Sequence, residues 1–301
     1  MAANTVAVVG FTILSVLAFI VSTGISILTT IPNNGIFNNS MENLSLKYTT
    51  DITPEKYAFS IWGLIFLFQL AWIGYALSCM CRRNKDGMVL TNPSVLPVSF
   101  HICWIISSAA ISLWNFYFFD EQMLFAALCL VVTTVFGFSA LGINVCATAS
   151  NERRIPRSDL ICIRVLIQNG IDLYFSWCTF ATLISISVAL TYDPKVPRNY
   201  SQEDSGTFCL YALGIVIIAW SILENTKLYR YCRYVYAWYF VLLWALSGII
   251  VRNHDVSKKN TIITITLLCL SVVALIAKIT VYCLSAPTSY KRVKKYQLLE
   301  E

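Results

Sequence analysis

The side chains best suited to chemistry lie where chemistry is costly. Arg164, Gln168 and Asp172 recur four residues apart within one long apolar stretch, and residues four apart share a helix face. Asp172 stands twelve residues from the nearer end of that stretch. Twelve helical residues span ~18 Å. A carboxylate that deep in hydrocarbon must be paired or neutral. Two readings follow. One is a site that couples protons or orients a ligand. The other is a structural hydrogen-bond set in which Arg164 snorkels to the near surface. Asn169-Gly170 beside it should loosen the helix. Lys278 lies about two turns from the end of the last apolar stretch and is expected to snorkel too.

All eight Trp fall in apolar stretches, at 62, 72, 104, 114, 177, 220, 238 and 244. Those near the ends suit an interfacial belt. Trp72, Trp104 and Trp177 lie deeper, and a deep indole needs a partner for its N–H. Aromatics that face one another would wall a cavity for a flat apolar ligand. Catalytic machinery is not evident. The chain has two His, His101 and His254, no Cys-x-x-Cys pair, no phosphate-binding loop and no nucleophile–base pattern. No catalytic residue, metal site or cofactor is therefore expected.

The elements that position these groups follow from composition. Of 301 residues, 57% are hydrophobic and 13% charged, against roughly 25% charged in soluble domains. Mean hydropathy is +0.66. Eight apolar stretches are long enough to cross a bilayer: about 6–28, 57–80, 98–119, 123–147, 160–190, 207–223, 234–251 and 261–284. They are continuous rather than alternating, so helices are expected and a barrel is not. The fifth is long and should tilt or break. The sixth and seventh are near the lower length limit. The first lacks a basic leader and exceeds the roughly 7–15 apolar residues of a signal peptide, so retention is expected. The expected fold is an all-α polytopic membrane protein of about eight transmembrane helices.

Charge gives the topology. With the N-terminus inside, inner loops hold thirteen of the 22 Lys and Arg and outer loops hold seven. That excess places both termini in the cytoplasm. The net charge of +6 is thus a topology signal, and no nucleic-acid partner is expected. Glycosylation sequons at Asn38, Asn43 and Asn199 all fall in loops that charge assigns to the outside. Cys81, beside Arg82 and Arg83 at an inner helix end, is the candidate for palmitoylation. The basic C-terminal segment suits an anionic leaflet. Within it Tyr296-Gln297-Leu298-Leu299 is similar to a tyrosine-based sorting signal, which would engage an endocytic adaptor. Plasma membrane or endosomes are the expected location.

Several stretches resemble the TspO/MBR family, the tryptophan-rich sensory proteins and the translocator protein. Thr53-Pro54-Glu55-Lys56-Tyr57-Ala58-Phe59-Ser60-Ile61-Trp62 looks like the segment that enters the family's second helix, in the form its longer members carry. Trp114-Asn115-Phe116-Tyr117-Phe118-Phe119 is similar to the end of the third helix. Tyr174-Phe175-Ser176-Trp177-Cys178-Thr179-Phe180-Ala181 is similar to the fifth. Trp244-Ala245-Leu246-Ser247-Gly248-Ile249-Ile250-Val251-Arg252 looks like a segment of the longer relatives. There are departures. Tyr57 stands where compact members have Trp, Ile111 and Ser185 where they have Asn, and Leu173 where they have Pro.

The resemblance implies a TspO-like five-helix core at 1–190, an outer loop at 191–206, a three-helix extension at 207–284 and a basic cytoplasmic tail at 285–301. Compact members bind tetrapyrroles, sterols and synthetic aromatic ligands. The expectation is a non-enzymatic protein that binds, senses or moves an apolar aromatic, sterol-like or tetrapyrrole-like ligand inside its bundle. Phe59, Trp62, Trp114, Tyr174 and Trp177 would wall the pocket, and Asp172 or Gln168 would orient the ligand. The alternative is a proton-coupled secondary transporter using Asp172. A G-protein-coupled receptor stands third, since no Asp-Arg-Tyr follows the third stretch and no Asn-Pro-x-x-Tyr sits in the seventh.

Overall fold

Backbone polar groups in lipid must bond within their own segment, and this chain answers with helices almost throughout. The computed structural model describes residues 2–196 and 200–297, with side chains from 5 to 285. The helices are α1 (Ala2–Leu28), α2 (Met41–Lys47), α3 (Ile61–Cys81), α4 (Val98–Phe119), α5 (Met123–Asn151), α6 (Arg157–Cys162), α7 (Asn169–Tyr192), α8 (Gln202–Asn225), α9 (Tyr229–Cys232), α10 (Ala237–Arg252) and α11 (Lys259–Gln297). A 3₁₀ turn, Lys56–Ser60, leads into α3, and a π segment, Ile163–Gln168, joins α6 to α7. A two-residue hairpin follows α3, pairing Arg83 with Met88.

Seven helical stretches are long and apolar enough to span a membrane. The eighth expected span is α10, with 16 residues, or ~24 Å against a ~30 Å hydrocarbon core. Its shortness is tolerated because protein surrounds it: Tyr239, Val241, Leu242, Ala245 and Leu246 are all buried. Two other boundaries differ from the hydropathy count. Helix α8 begins five residues before 207, because Ser201 Oγ accepts the Asp204 N–H (3.0 Å) and starts a polar first turn. Helix α11 does not stop at 284 but continues to Gln297.

Helix α7 is the hub. It packs against α3, α5, α8 and α10, and the span it belongs to, Arg157–Tyr192, is 61% buried over its most apolar stretch, against 28% for the spans of α1 and α11. On one side of it lie α5, α4 and α1, each packed on the next. On the other lie α10, α11 and α8. The expected break in the fifth span is the π segment, where the Asn169 N–H bonds Arg164 O five residues back.

The connecting loops sort to two ends. At the end carrying the sequon loops, Lys47 and Tyr48 both bond Glu121 (2.6 Å each), Tyr192 donates to Thr49 O (2.8 Å), and Asn253 donates to Asp51 O (2.7 Å). Hydrogen bonds from Lys47 and then Tyr48 hold the Glu121 carboxyl below its ordinary pKa. At the opposite, basic end, Arg82 pairs with Asp159 (2.8 Å) and Arg154 with Asp86 (3.5 Å).

Candidate functional site

A narrow crevice opens between α1 and α3 and runs in to α4 and α7. Trp62 and Phe66 from α3, Trp104 from α4 and Tyr174 from α7 form its aromatic walls. They hold one another by ring contacts: Trp62 stacks on Phe66 (5.7 Å), and Tyr174 meets Trp62 (6.1 Å) and Trp104 (6.2 Å) edge-on. The polar lining comes from Ser22, Thr23 and Ser26 of α1, Gln69 of α3 and Ser108 of α4. In this conformation the crevice leaves ≈ 10 Å³ of room for a water's centre, about enough for a single molecule. A larger ligand requires α1 to part from α3.

Of the five residues expected to wall a pocket, Trp62 and Tyr174 line this crevice. Phe59 lies edge-on to Trp177 (5.9 Å), and Trp177 is buried in the core between α3, α7, α8 and α10. Trp114 lies elsewhere, stacked on Phe118 (5.7 Å) in the cluster at the sequon end. The polar lining went unnoticed in the sequence, yet it carried a signal. Ser15, Ser22 and Ser26 are spaced seven and four apart, a polar stripe on one face of an otherwise apolar helix.

Two of the three deep indoles, those of Trp72 and Trp104, find partners. Trp72 Nε1 donates to Gln69 Oε1 (2.6 Å), and Gln69 Nε2 donates to Gly170 O (2.9 Å). Trp104 Nε1 donates to Ser15 O (3.3 Å). Beside it, His101 is fully buried with Thr12 Oγ1 on Nε2 (3.1 Å) and Ser15 Oγ on Nδ1 (2.9 Å).

Asp172 is buried and holds the start of α10. Its Oδ2 accepts the Trp238 N–H (2.6 Å), and its Oδ1 accepts the Ser176 hydroxyl (3.3 Å). Asn169, one turn earlier, accepts the Tyr236 and Ala237 N–H groups (2.8 and 3.3 Å) and donates to Tyr234 O (2.8 Å). Helix α10 lacks a capping side chain of its own, so α7 supplies its caps from outside. A carboxylate there also faces the positive end of the helix dipole. Gln168 is buried at the π segment's end. Arg164 snorkels as expected: it reaches Glu152 (2.6 Å) at the basic end and lies over the Tyr234 ring (3.7 Å). Arg233 shares Glu152 (3.0 Å).

Lys278 does not snorkel. It is 6% exposed and pairs with Glu224 (2.6 Å), 1% exposed. It also donates to Val235 O, while Tyr239 OH donates to the other Glu224 oxygen. This ion pair ties α8 to α11 through α10. The sequence reading missed it because Glu224 lies at the end of its span.

Asn38 and Asn43 are exposed at the sequon end, and Asn199 lies outside the described residues. Cys81 is exposed at the basic end of α3, and all eleven cysteines are free thiols. Tyr296 falls in the helical C-terminal segment whose side chains are not described, and Leu299 lies outside the described residues. No curated protein and no solved structure matches the chain. A comparison with known families does match it, and over most of its length: residues 12–280, from α1 into α11, align with the TSPO-like proteins, and the chain belongs to that family.

Proposed function

We propose that this multi-pass membrane protein binds, senses or moves an apolar ring ligand of aromatic, sterol or tetrapyrrole type, without catalysis, in the crevice between α1 and α3. The observation that carries this reading is the convergence of Trp62, Phe66, Trp104 and Tyr174 from three helices on one crevice. Helix α1 packs mainly on α4 and only lightly on α3, so an outward lean of α1 admits a ligand from the bilayer. Trp62 and Tyr174 belong to the segments that carry the family resemblance. The test is photo-crosslinking with sterol and porphyrin probes. Trp62→Ala and Tyr174→Ala should reduce labelling, while Trp114→Ala should not. Labelling untouched by the first two variants would overturn the assignment.

The transporter reading has weaker support, because both Asp172 oxygens are engaged by Trp238 and Ser176. For location, the exposed Asn38 and Asn43 and the excess of basic residues at the opposite end support cytoplasmic termini in the plasma membrane or endosomes. An endoglycosidase shift that is lost when Asn38, Asn43 and Asn199 are changed to Gln tests the orientation.

A further inference from the structure

Two guanidiniums share one carboxylate at the basic end. Arg164, in the π segment, donates to Glu152 Oε1 (2.6 Å). Arg233, in the turn between α9 and α10, donates to both Glu152 oxygens (3.0 and 3.3 Å). Both guanidiniums also lie on the Tyr234 ring, 3.7 and 4.7 Å from its centroid. Tyr282 of α11 meets that ring edge-on (6.0 Å). The corner is thus built by the π segment, the α9–α10 turn, α11 and the residue just past α5. The two arginine side chains are only 18% and 24% exposed, so water screens their charge poorly. A single carboxylate leaves the pair net positive. The donors are in excess as well. A guanidinium carries about five N–H donors, yet Glu152 is the only acceptor for either one among the described residues, and Arg233 Nε is buried with none. Such a corner suits an anion with several acceptor oxygens.

The surroundings say where that anion comes from. Ile161 and Val165, on either side of Arg164 in a membrane span, are exposed, and so is Ile279, one turn before Tyr282. Exposed apolar side chains beside a guanidinium mark the boundary between acyl chains and headgroups. At the same end Arg83, Lys85, Arg153, Arg157, Lys227 and Arg230 are exposed, with no ion-pair partner among the described residues. We propose that Arg164 and Arg233 bind the phosphate of an anionic lipid headgroup in the leaflet at this end, and prefer a phosphomonoester to a phosphodiester. A monoester presents three free oxygens, so each guanidinium fork can take two and share one. A diester has only two and cannot serve both forks. The monoester's charge, about −1.5 to −2 near neutrality, is met by the corner and by the exposed cations near it. Glu152 and Tyr234 are positioning residues: they fix the spacing and the planes of the two forks.

The test is native mass spectrometry of the full chain in detergent, titrated with phosphatidate, phosphatidylserine or phosphatidylcholine of the same acyl chains. Phosphatidate should bind about ten-fold more tightly than phosphatidylserine, the margin of one charge-assisted hydrogen bond. Phosphatidylcholine should bind most weakly. Arg164→Lys and Arg233→Lys keep the charge and the pairing with Glu152 but lose the fork. Each should bring phosphatidate down to the level of phosphatidylserine. An Arg83→Gln, Lys85→Gln double variant removes only exposed charge. It should weaken both anionic lipids alike and leave their ratio unchanged. Equal affinity of the unmodified chain for phosphatidate and phosphatidylserine would overturn the proposal, and so would an unchanged ratio in both Lys variants. Glycerol 3-phosphate carries the same monoester without acyl chains and should displace phosphatidate only in large excess. Displacement at equal concentration would overturn the lipid assignment in favour of a soluble phosphate.

Discussion

Replacing Asp172 separates a cap from a proton carrier. In Asp172→Ala the buried Trp238 N–H, now bonded at 2.6 Å, loses its acceptor. An orphaned buried donor costs about 1–3 kcal/mol. Loss of a negative charge at a helix N-terminus adds about 1 kcal/mol. The sum is about 2–4 kcal/mol. In Asp172→Asn the side-chain oxygen remains, and the cost is the difference between a charged and a neutral acceptor, about 1 kcal/mol. Asn169 still caps Tyr236 and Ala237 in both variants, so α10 keeps its start. At about 2 °C per kcal/mol for a chain of this size, Asn should lower the melting temperature by about 2 °C and Ala by about 4–8 °C. The assay is the monodisperse fraction after heating in detergent, read by size exclusion. Equal losses in the two variants would refute the capping argument. A stable Asp172→Asn protein that loses pH-driven flux in proteoliposomes would instead favour the transporter reading.

Gly137 of α5 faces Phe175 of α7, and a Cβ there would lie 2.1 Å from the ring. Gly137→Ala should destabilise by about 1–3 kcal/mol, whereas Gly142→Ala on the same helix, with open space around it, should be neutral or stabilising by up to about 1 kcal/mol; thermal stability of the pair checks this. Lys278→Met leaves the buried Glu224 without its counter-charge and should cost about 3–5 kcal/mol, with most of it recovered in Lys278→Met, Glu224→Leu. Equal stability of single and double variants would count against it. Because the Glu121 carboxyl is held below its ordinary pKa by Lys47 and Tyr48, its contribution is present near neutrality and is lost as pH falls through that lowered value. Both Lys47 and Glu121 are about half exposed, so the effect should be small and local, seen as faster hydrogen exchange in 41–48 at acidic pH.

The order of the long apolar helices was legible because the cost of burying backbone in lipid is written directly into run length and hydropathy. The places that were not legible share a different physics. The start of α8 is set by Ser201, a single cap that an apolar count passes over. A break in the fifth span was legible from its length and from Asn169-Gly170, but its form, a π segment closed by the Asn169 N–H on Arg164 O, leaves little trace in periodicity. Trp62, Trp114 and Trp177 look alike in sequence. Only the tertiary packing sends one to a crevice, one to the sequon end and one to the core. Lys278 was placed by its distance from a helix end, which holds for a lone cation. Glu224 supplies a buried partner, so there is no need to reach water.

The family motifs make physical sense when α10 is counted as part of the core. At its sequon end, the Glu55 N–H bonds Gly248 O (2.9 Å) and the Trp244 indole bonds Ala58 O (2.9 Å). Gly248 permits the approach, since a Cβ there would lie 3.0 Å from Ala58 Cβ and 3.1 Å from Pro54 Cβ. Tyr57 lies edge-on to Trp244 at 5.5 Å. Two of the four segments that carry the resemblance, 53–62 and 244–252, are thus the two sides of one joint. The third, 174–181, follows directly on the Asn169 and Asp172 caps that fix the other end of α10. A ring at position 57 that packs on α10 is not free to wall a ligand pocket. The helix too short to span alone is therefore clamped at one end by α7 and at the other by the segment that leads into α3. The crevice lies on the opposite flank of α7, where α1 and α3 scarcely touch.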